Sequence, residues 1–132
     1  MSIPPWLVLF LAISFSAQAV FSAEDNLSRY YEIAEQTCFD IGDIRREMDR
    51  VNREILKLMT ERTAYVKRAG DLKSQTTKIA DDRGRVKDQE RKIIDLSLEL
   101  ELPLEISLPT FRELMETSIK FQQRHIDELL SQ

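Results

Sequence analysis

Residues that interrupt or crosslink a chain are scarce in this sequence. It has three glycines and four prolines among 132 residues, and it has no glycine-rich phosphate-binding loop. Its one cysteine, Cys38, excludes an intramolecular disulfide. Because only one histidine, His125, accompanies that cysteine, the chain offers no credible cluster of metal ligands, and we expect no metal site.

An excess of positive charge is missing as well. The formal net charge is -4, whereas proteins that bind phosphate backbones carry a surplus of Lys and Arg. The charge balance therefore argues against a nucleic-acid partner. Charged residues make up 32% of the chain and apolar residues 42%, which is typical of a soluble helical domain, and the length accommodates one such domain.

The first 23 residues contain no charged side chain. Residues 6–13 form a continuous apolar run, and the tripeptide Ala17-Gln18-Ala19 places small residues at positions -3 and -1 of a cleavage site. We interpret residues 1–19 as a secretory signal peptide, and cleavage as late as residue 23 is also compatible with the pattern. The mature protein is then expected to be exported, either periplasmic or secreted.

An uncleaved membrane anchor is the alternative, because no Lys or Arg precedes the apolar run. The apolar run is short, because it is bounded by Pro4 and Pro5 on one side and by a serine-rich stretch after Ile13 on the other. It therefore has fewer than the roughly 18 to 20 apolar residues that a bilayer crossing needs. We therefore expect no stable membrane insertion once the signal peptide is removed.

From residue 25 onward, apolar residues recur with helical spacing nearly to the end of the chain. The clearest stripe predicts one helix over residues 43–74, about 45 Å long at roughly 1.5 Å per residue. A compact bundle of this size does not cover a helix of that length, so the excess predicts a partner chain. The stripe consists of Ile44, Met48, Val51, Ile55, Leu58, Arg62, Val66 and Ala69.

A leading segment, residues 24–42, precedes the long helix. It contains a predicted shorter helix over residues 26–38, with Gly42 as the break between the two helices. No segment of the chain shows the alternation of a strand. The predicted fold is therefore all-α, with one helical domain over residues 43–131.

Loop and cap residues divide the rest of this domain. Residues 75–82 are polar and end in Asp82, which suits a helix N-cap. A second helix is predicted over residues 83–100. Pro103 and Pro109 then bracket a short linker, and a third helix is predicted to run from Pro109 to residue 130, because proline suits a first helical position.

Cations interrupt the apolar pattern where a bundle would place leucine. Arg62 falls on the apolar face of the long helix, and Lys73, eleven residues later, lies within about 20° of Arg62 around the helix. Both side chains are long, so together they can hold a small ligand from two ends. Arg45 is seventeen residues before Arg62, about 25 Å away along the axis, so only an antiparallel partner helix can bring it to the same ligand.

Two polar residues, Ser118 and Gln122, interrupt the apolar stripe of the last helix. Together with the cations they predict a pocket for a small, doubly charged anion. The plainer interpretation is that Arg and Lys lie along the bundle surface with their heads in water, and that Ser118 and Gln122 bond to the backbone. A non-catalytic helical interaction module is therefore an alternative that composition alone favours.

Several groups of residues occur in a fixed register over nearly eighty residues. They are the segment Ile44-Arg45-Arg46-Glu47-Met48-Asp49-Arg50-Val51-Asn52, the pair Glu61-Arg62, the residues Lys73, Asp82 and Arg85, and the segment Ser118-Ile119-Lys120-Phe121-Gln122-Gln123. In this combination the chain resembles the all-helical chorismate mutases. The resemblance covers residues 43–130, nearly all of the expected mature domain.

For the fold, the resemblance implies a three-helix protomer with a long first helix that is exchanged with its twin in an entwined homodimer. For the activity, it implies a step of aromatic amino acid biosynthesis, the Claisen rearrangement of chorismate to prephenate, without a cofactor, a metal or a covalent intermediate. The implied substrate is a small dianion, which agrees with the pocket predicted from the cations.

The resemblance also implies roles for the seven site residues. Arg62 and the partner subunit's Arg45 would clamp the two carboxylates. Lys73 and Gln122 would donate hydrogen bonds to the ether oxygen, which gains negative charge in the transition state.

The remaining three residues would complete the substrate site. Arg85 and Ser118 would finish a carboxylate site, and Asp82 would orient the hydroxyl end of the substrate. Val86 departs from the pattern, because many mutases of this family have a glutamate there. The related isochorismate pyruvate lyases, which form salicylate, share the fold and the cations, so this activity is the alternative, although exported members are typically mutases.

Overall fold

The computed structural model describes residues 25–132, and within this range the chain forms four α-helices and no β-strand. The all-α class predicted from the sequence is therefore confirmed. The predicted signal peptide, residues 1–19 with cleavage up to residue 23, lies outside the described residues. In chain order the helices are α1 (Leu27–Thr37), α2 (Ile41–Ser74), α3 (Arg83–Glu99) and α4 (Leu104–Leu130).

Helix α1 is a surface helix that is attached at its N-terminal end to the turn between α3 and α4. The backbone N–H of Leu27 donates to the carbonyl of Leu100 at 3.1 Å, and Ser28 Oγ donates to Glu101 Oε2 at 2.5 Å. The hydrogen bonds from Ser28 hold the pKa of Glu101 below its usual value. No residue of α1 is buried, so this helix contributes little to the core.

A capping box sets the start of α2. The Asp40 carboxylate accepts from the N–H of Asp43 at 2.8 Å, and the Asp43 carboxylate accepts from the N–H of Asp40 at 3.2 Å. Gly42, predicted as the break between the first two helices, is inside the first turn of α2, so that prediction was wrong. The two aspartates satisfy free amides of the first turn, and Gly42 leaves room for the cap, since a Cβ there would lie 2.9 Å from Asp40 Oδ1.

The length of α2 exceeds what the rest of the chain covers. The helix has 34 residues, about 51 Å at roughly 1.5 Å per residue, and every residue from 44 to 61 is exposed. We call residues 44–61 the bare half of α2 and residues 62–74 the packed half. The large apolar side chains exposed on the bare half are Ile44, Met48, Val51, Ile55, Leu56, Leu58 and Met59.

Helix α4 packs against the packed half of α2 and against α3. Ala80, Met115 and Ile126 are the buried apolar residues of the described chain. The helices α2 and α4 approach closely at Gly70, where an added Cβ would lie 3.0 Å from His125 Cδ2 and 3.4 Å from Gln122 Cγ. A larger residue there would push against the α4 side chains at this crossing.

Asp82 caps α3, as the sequence predicts. Its Oδ1 accepts from the backbone N–H of Arg85 at 3.0 Å, and residues 75–82 form the predicted loop before the helix. At the other end of α3, buried Ser97 donates from its Oγ to the Oγ of buried Ser107 at 2.8 Å. This bond ties α3 to the first turn of α4.

Helix α4 begins directly after Pro103, so Pro109 lies inside the helix. The prediction that the two prolines bracket a linker, with the helix starting at Pro109, was therefore wrong. The backbone N–H of Ser107 already bonds the carbonyl of Pro103 at 3.2 Å, and the buried Ser107 side chain anchors this turn on α3. Pro109, the sixth residue of α4, cannot donate a backbone bond to the carbonyl of Glu105, and because Glu105 is exposed this carbonyl can bond water instead.

Within residues 25–132, no helix combines the length and the apolar character that a bilayer crossing requires.

Candidate active site

A cleft of about 410 Å³ opens where the packed half of α2 meets α3 and α4. Its volume falls in the range of small-molecule sites. Six of the seven site residues predicted from the sequence line this cleft, and the seventh, Arg45, does not. The six are Arg62, Lys73, Asp82, Arg85, Ser118 and Gln122.

Lys73 and Gln122 form the innermost polar pair of the cleft. Lys73 Nζ donates to Gln122 Oε1 at 3.0 Å and to the carbonyl of Ala80 at 3.3 Å. Gln122 is 7% exposed, and its Nε2 donates to the carbonyl of Val66 at 2.7 Å. These bonds fix the amide from both ends and leave each nitrogen with one N–H, because an ammonium has three and an amide nitrogen has two.

Arg62 and Ser118 form a second pair across α2 and α4. Arg62 Nη1 donates to Ser118 Oγ at 2.7 Å, and Ser118 Oγ donates to the carbonyl of Leu114 at 2.6 Å. Burial lowers the pKa of the Arg62 guanidinium below its usual value, yet the group stays charged at neutral pH because an arginine titrates so far above it. Its other N–H donors are available to a planar anion.

Helix α3 supplies Asp82 and Arg85 to the same cleft. The Asp82 carboxylate has a structural role as the N-cap, since it accepts the N–H of Arg85. The Arg85 side chain is exposed, and within residues 25–132 it makes no ion pair or hydrogen bond. Its guanidinium is therefore free to bind an anion that enters the cleft.

Arg45 lies on the bare half of α2, away from the cleft. It is exposed and precedes Arg62 by seventeen positions, which correspond to about 25 Å of helix. A single chain therefore does not bring Arg45 to the other cations, as the helical spacing predicts.

Gln89 is a cleft residue that the sequence predictions missed. It lines the α3 wall one turn beyond Arg85, and the spacing 82, 85, 89 on one helix face was the signal that could have found it. The other lining residues that were not predicted are Tyr65, Val66, Ala69, Ala80, Met115 and Ile119.

The charges of the cleft favour a dianion. Its lining holds three cations and one carboxylate, which leave two net positive charges in a partly desolvated site where electrostatic attraction is stronger than in water. Among the described residues, no group of three His, Cys, Asp or Glu side chains is arranged to hold a metal ion. The net positive charge of the lining suits the binding of a small anion.

Residues 44–123 match the family model of chorismate mutase type II. This chain belongs to the type II chorismate mutase family. The resemblance noted from the sequence is therefore confirmed, and all seven predicted site residues lie within the matched region. Membership in the family supports an isomerase, a chorismate mutase, at the level of the family.

One similar protein is a bifunctional chorismate mutase/prephenate dehydratase of Aquifex aeolicus (strain VF5). It is 28% identical over 92 residues, which cover 64% of this chain and 24% of that protein. The chain thus spans about a quarter of the length of this relative. No solved structure shows significant similarity to the chain.

Proposed function

We propose that this protein is a chorismate mutase that catalyses the Claisen rearrangement of chorismate to prephenate. The observation that carries the proposal is the Lys73–Gln122 pair, a cation hydrogen-bonded to a neutral amide inside a cationic cleft. Cations alone bind almost any dianion. A neutral donor next to an ammonium also suits an ether oxygen that gains charge during the reaction.

Substrate binding is the first step of the proposed mechanism. The guanidinium groups of Arg62 and Arg85 bind the two carboxylates of chorismate, and Ser118 holds Arg62 in place at 2.7 Å. Holding the ring carboxylate and the carboxylate of the flexible enolpyruvyl group at fixed positions selects the compact conformer in which the reacting carbons approach each other. Asp82 lies at the same end of α3 and orients the hydroxyl side of the substrate.

Bond rearrangement is the second step. The ether C–O bond breaks as the new C–C bond forms, and the six electrons shift around one ring, so no proton leaves and no covalent enzyme intermediate is needed. Negative charge builds on the ether oxygen, to which Lys73 Nζ and Gln122 Nε2 each donate a remaining N–H. These bonds are strongest in the transition state and therefore raise the rate.

The proposed enzyme is an entwined homodimer in which the long helices of residues 43–74 are exchanged. The bare half of α2 supports this assembly, because it exposes an apolar stripe that an antiparallel copy would cover. The exchange brings the partner subunit's Arg45 to the cleft as a further carboxylate ligand. Residues 43–131 then form the catalytic domain, and residues 24–42 form a leading segment.

Isochorismate pyruvate lyase activity is the second candidate, favoured by the absence of a carboxylate at Val86. Val86 is half-buried and does not line the cleft, so its apolar side chain leaves the anion-binding groups intact. We place the mutase first.

We further propose that residues 1–19 direct the protein to the periplasm or the exterior.

A direct assay separates these activities. Purified protein is mixed with chorismate while the absorbance of the substrate is followed, and a parallel sample with isochorismate is tested for salicylate. We expect chorismate to disappear with formation of prephenate. If the protein forms salicylate from isochorismate and does not turn over chorismate, it is the lyase. If it turns over neither substrate above background, only the non-catalytic interaction module is left.

A further inference from the structure

Gln89 continues the polar wall that α3 presents to the cleft. Asp82, Arg85 and Gln89 all line the cleft, whereas Val86 does not. At about 100° per residue, Gln89 lies within about 40° of Arg85 around the helix, while Val86 is turned about 100° away from Arg85. Position 89 is therefore the next α3 position after Arg85 from which a side chain reaches a bound ligand.

The Gln89 side chain is available to a ligand. It is half-buried, and within residues 25–132 its amide makes no hydrogen bond. By contrast, Arg62, Lys73, Ser118 and Gln122 each have a side-chain partner inside the protein. A half-buried amide that faces a cleft without a partner is satisfied when a ligand supplies one.

The neutrality of Gln89 matters for an anionic ligand. The cleft lining has two net positive charges, which match a dianion. A carboxylate at position 89 would halve that excess, whereas an amide adds hydrogen-bonding capacity without changing the charge. The α3 wall thus offers the cation Arg85 to a carboxylate of the ligand. It offers the neutral amide of Gln89 to an uncharged polar group of the same ligand.

We propose that Gln89 is a specificity-determining residue whose side-chain amide binds the ring hydroxyl of the substrate. The inference rests on the proposed function. Chorismate presents two carboxylates, an ether oxygen and one hydroxyl. The charged groups and the ether oxygen have partners in the arginines and the Lys73–Gln122 pair, and Asp82, whose Oδ1 caps α3, offers the hydroxyl an acceptor but no donor. An amide both donates and accepts, which matches a hydroxyl that does the same.

The test uses two bicyclic ether dicarboxylates that mimic the transition state of the rearrangement. One has the ring hydroxyl, and the other has hydrogen in its place. Their Kd values for the full chain and for Gln89→Leu are measured by calorimetric titration. We expect Gln89→Leu to raise the Kd of the hydroxylated compound roughly three- to tenfold, as for one neutral hydrogen bond, and to leave the other Kd within about twofold.

Two further variants make the comparison decisive. Gln36→Leu, the same substitution on the exposed surface of α1, should leave both Kd values unchanged. Gln89→Met, which is unbranched and close in size, replaces Gln89→Leu if circular dichroism shows that the first variant has lost helix. An equal loss for both compounds, or no loss for either, would overturn the role of Gln89.

The proposed function is judged separately in the same protein preparation. If the unmodified protein turns over chorismate but Gln89→Leu loses the same affinity for both compounds, the role of Gln89 is refuted and the proposed function stands. Unmodified protein that binds neither compound and does not turn over chorismate refutes both proposals.

Discussion

The two halves of α2 have the same apolar periodicity but opposite surroundings. In the packed half, Val66 and Ala69 face the cleft and Gly70 is buried against α4. In the bare half, the corresponding stripe is open, with Met48 55% and Leu58 65% exposed. The same sequence pattern is thus satisfied within the chain at one end of the helix and left unsatisfied at the other.

This difference indicates what each half is for. Monomeric soluble proteins rarely expose an apolar surface as extensive as the bare half of α2, so we infer that a second copy of the chain covers it. The one predicted site residue that is missing from the cleft, Arg45, lies on that same half. A single contact between copies would therefore bury the exposed stripe and complete the substrate site.

The largest expected effect comes from removing the two donors of the cleft, Lys73 on the packed half of α2 and Gln122 on α4. Lys73→Ala and Gln122→Ala should each lower kcat by about 100-fold or more, the usual cost of losing one preorganised transition-state donor. Steady-state kinetics with chorismate measures the loss, and far-UV circular dichroism should show intact helices. Lys92→Ala, an exposed α3 lysine outside the cleft, serves as the control. Unchanged kcat in both site variants would remove the proposed role of this pair.

A charge placed on the bare half should break the dimer. Leu58→Glu puts a carboxylate in the middle of the apolar stripe, where burial against a second copy is unfavourable. We expect light scattering to show a monomer, and we expect kcat/KM to fall because the cleft loses Arg45. Arg53→Glu, about 140° away around α2 and also at an exposed position, should change neither. A dimer that persists in Leu58→Glu would mean that this stripe is not the interface.

The smallest expected effect is on acid stability and concerns the packed half. His125 Nε2 lies 2.6 Å from Asp71 Oδ1, and this hydrogen bond holds the pKa of Asp71 below its usual value. A lowered folded pKa means that the stabilisation is present above the unfolded value, about 3.9, and is lost as the pH falls through the lower folded value.

Thermal melts measure this contribution. Unmodified protein should have a higher Tm than Asp71→Asn at pH 6, and the gap should shrink as the pH is lowered towards 2. A gap that stays constant or widens in acid would contradict a contribution from the ionised carboxylate. His125→Asn provides the reciprocal variant, because it removes the partner and keeps the carboxylate.

Local signals in the sequence predicted much of the fold. The end of α2, the Asp82 cap and the all-α class follow from periodicity and capping chemistry, which act over a few residues. The two errors, at Gly42 and Pro109, come from residues that usually end helices. There, the capping box at the start of α2 and the buried serine contact between α3 and α4 override the local preference.

The site was only partly accessible to such reasoning. Helical spacing placed Arg62 and Lys73 on one face because both lie on the same helix. The Lys73–Gln122 hydrogen bond joins residues 49 positions apart, and its geometry depends on how α4 crosses α2 at Gly70. Gln89 was missed because its spacing places it on the same helix face as Asp82 and Arg85 but does not show that this face lines a cleft.

The central claim is that one cleft draws residues from two copies of α2. Arg62→Ala and Arg45→Ala are each purified, mixed in equal amounts, unfolded and refolded together, and assayed with chorismate. Half of the resulting dimers combine the two variants and contain one intact cleft, so roughly a quarter of the unmodified activity should return. Arg46→Ala, the neighbouring arginine that pairs with Asp43, should be fully active by itself. Two weakly active variants that stay weakly active after mixing would contradict the shared site.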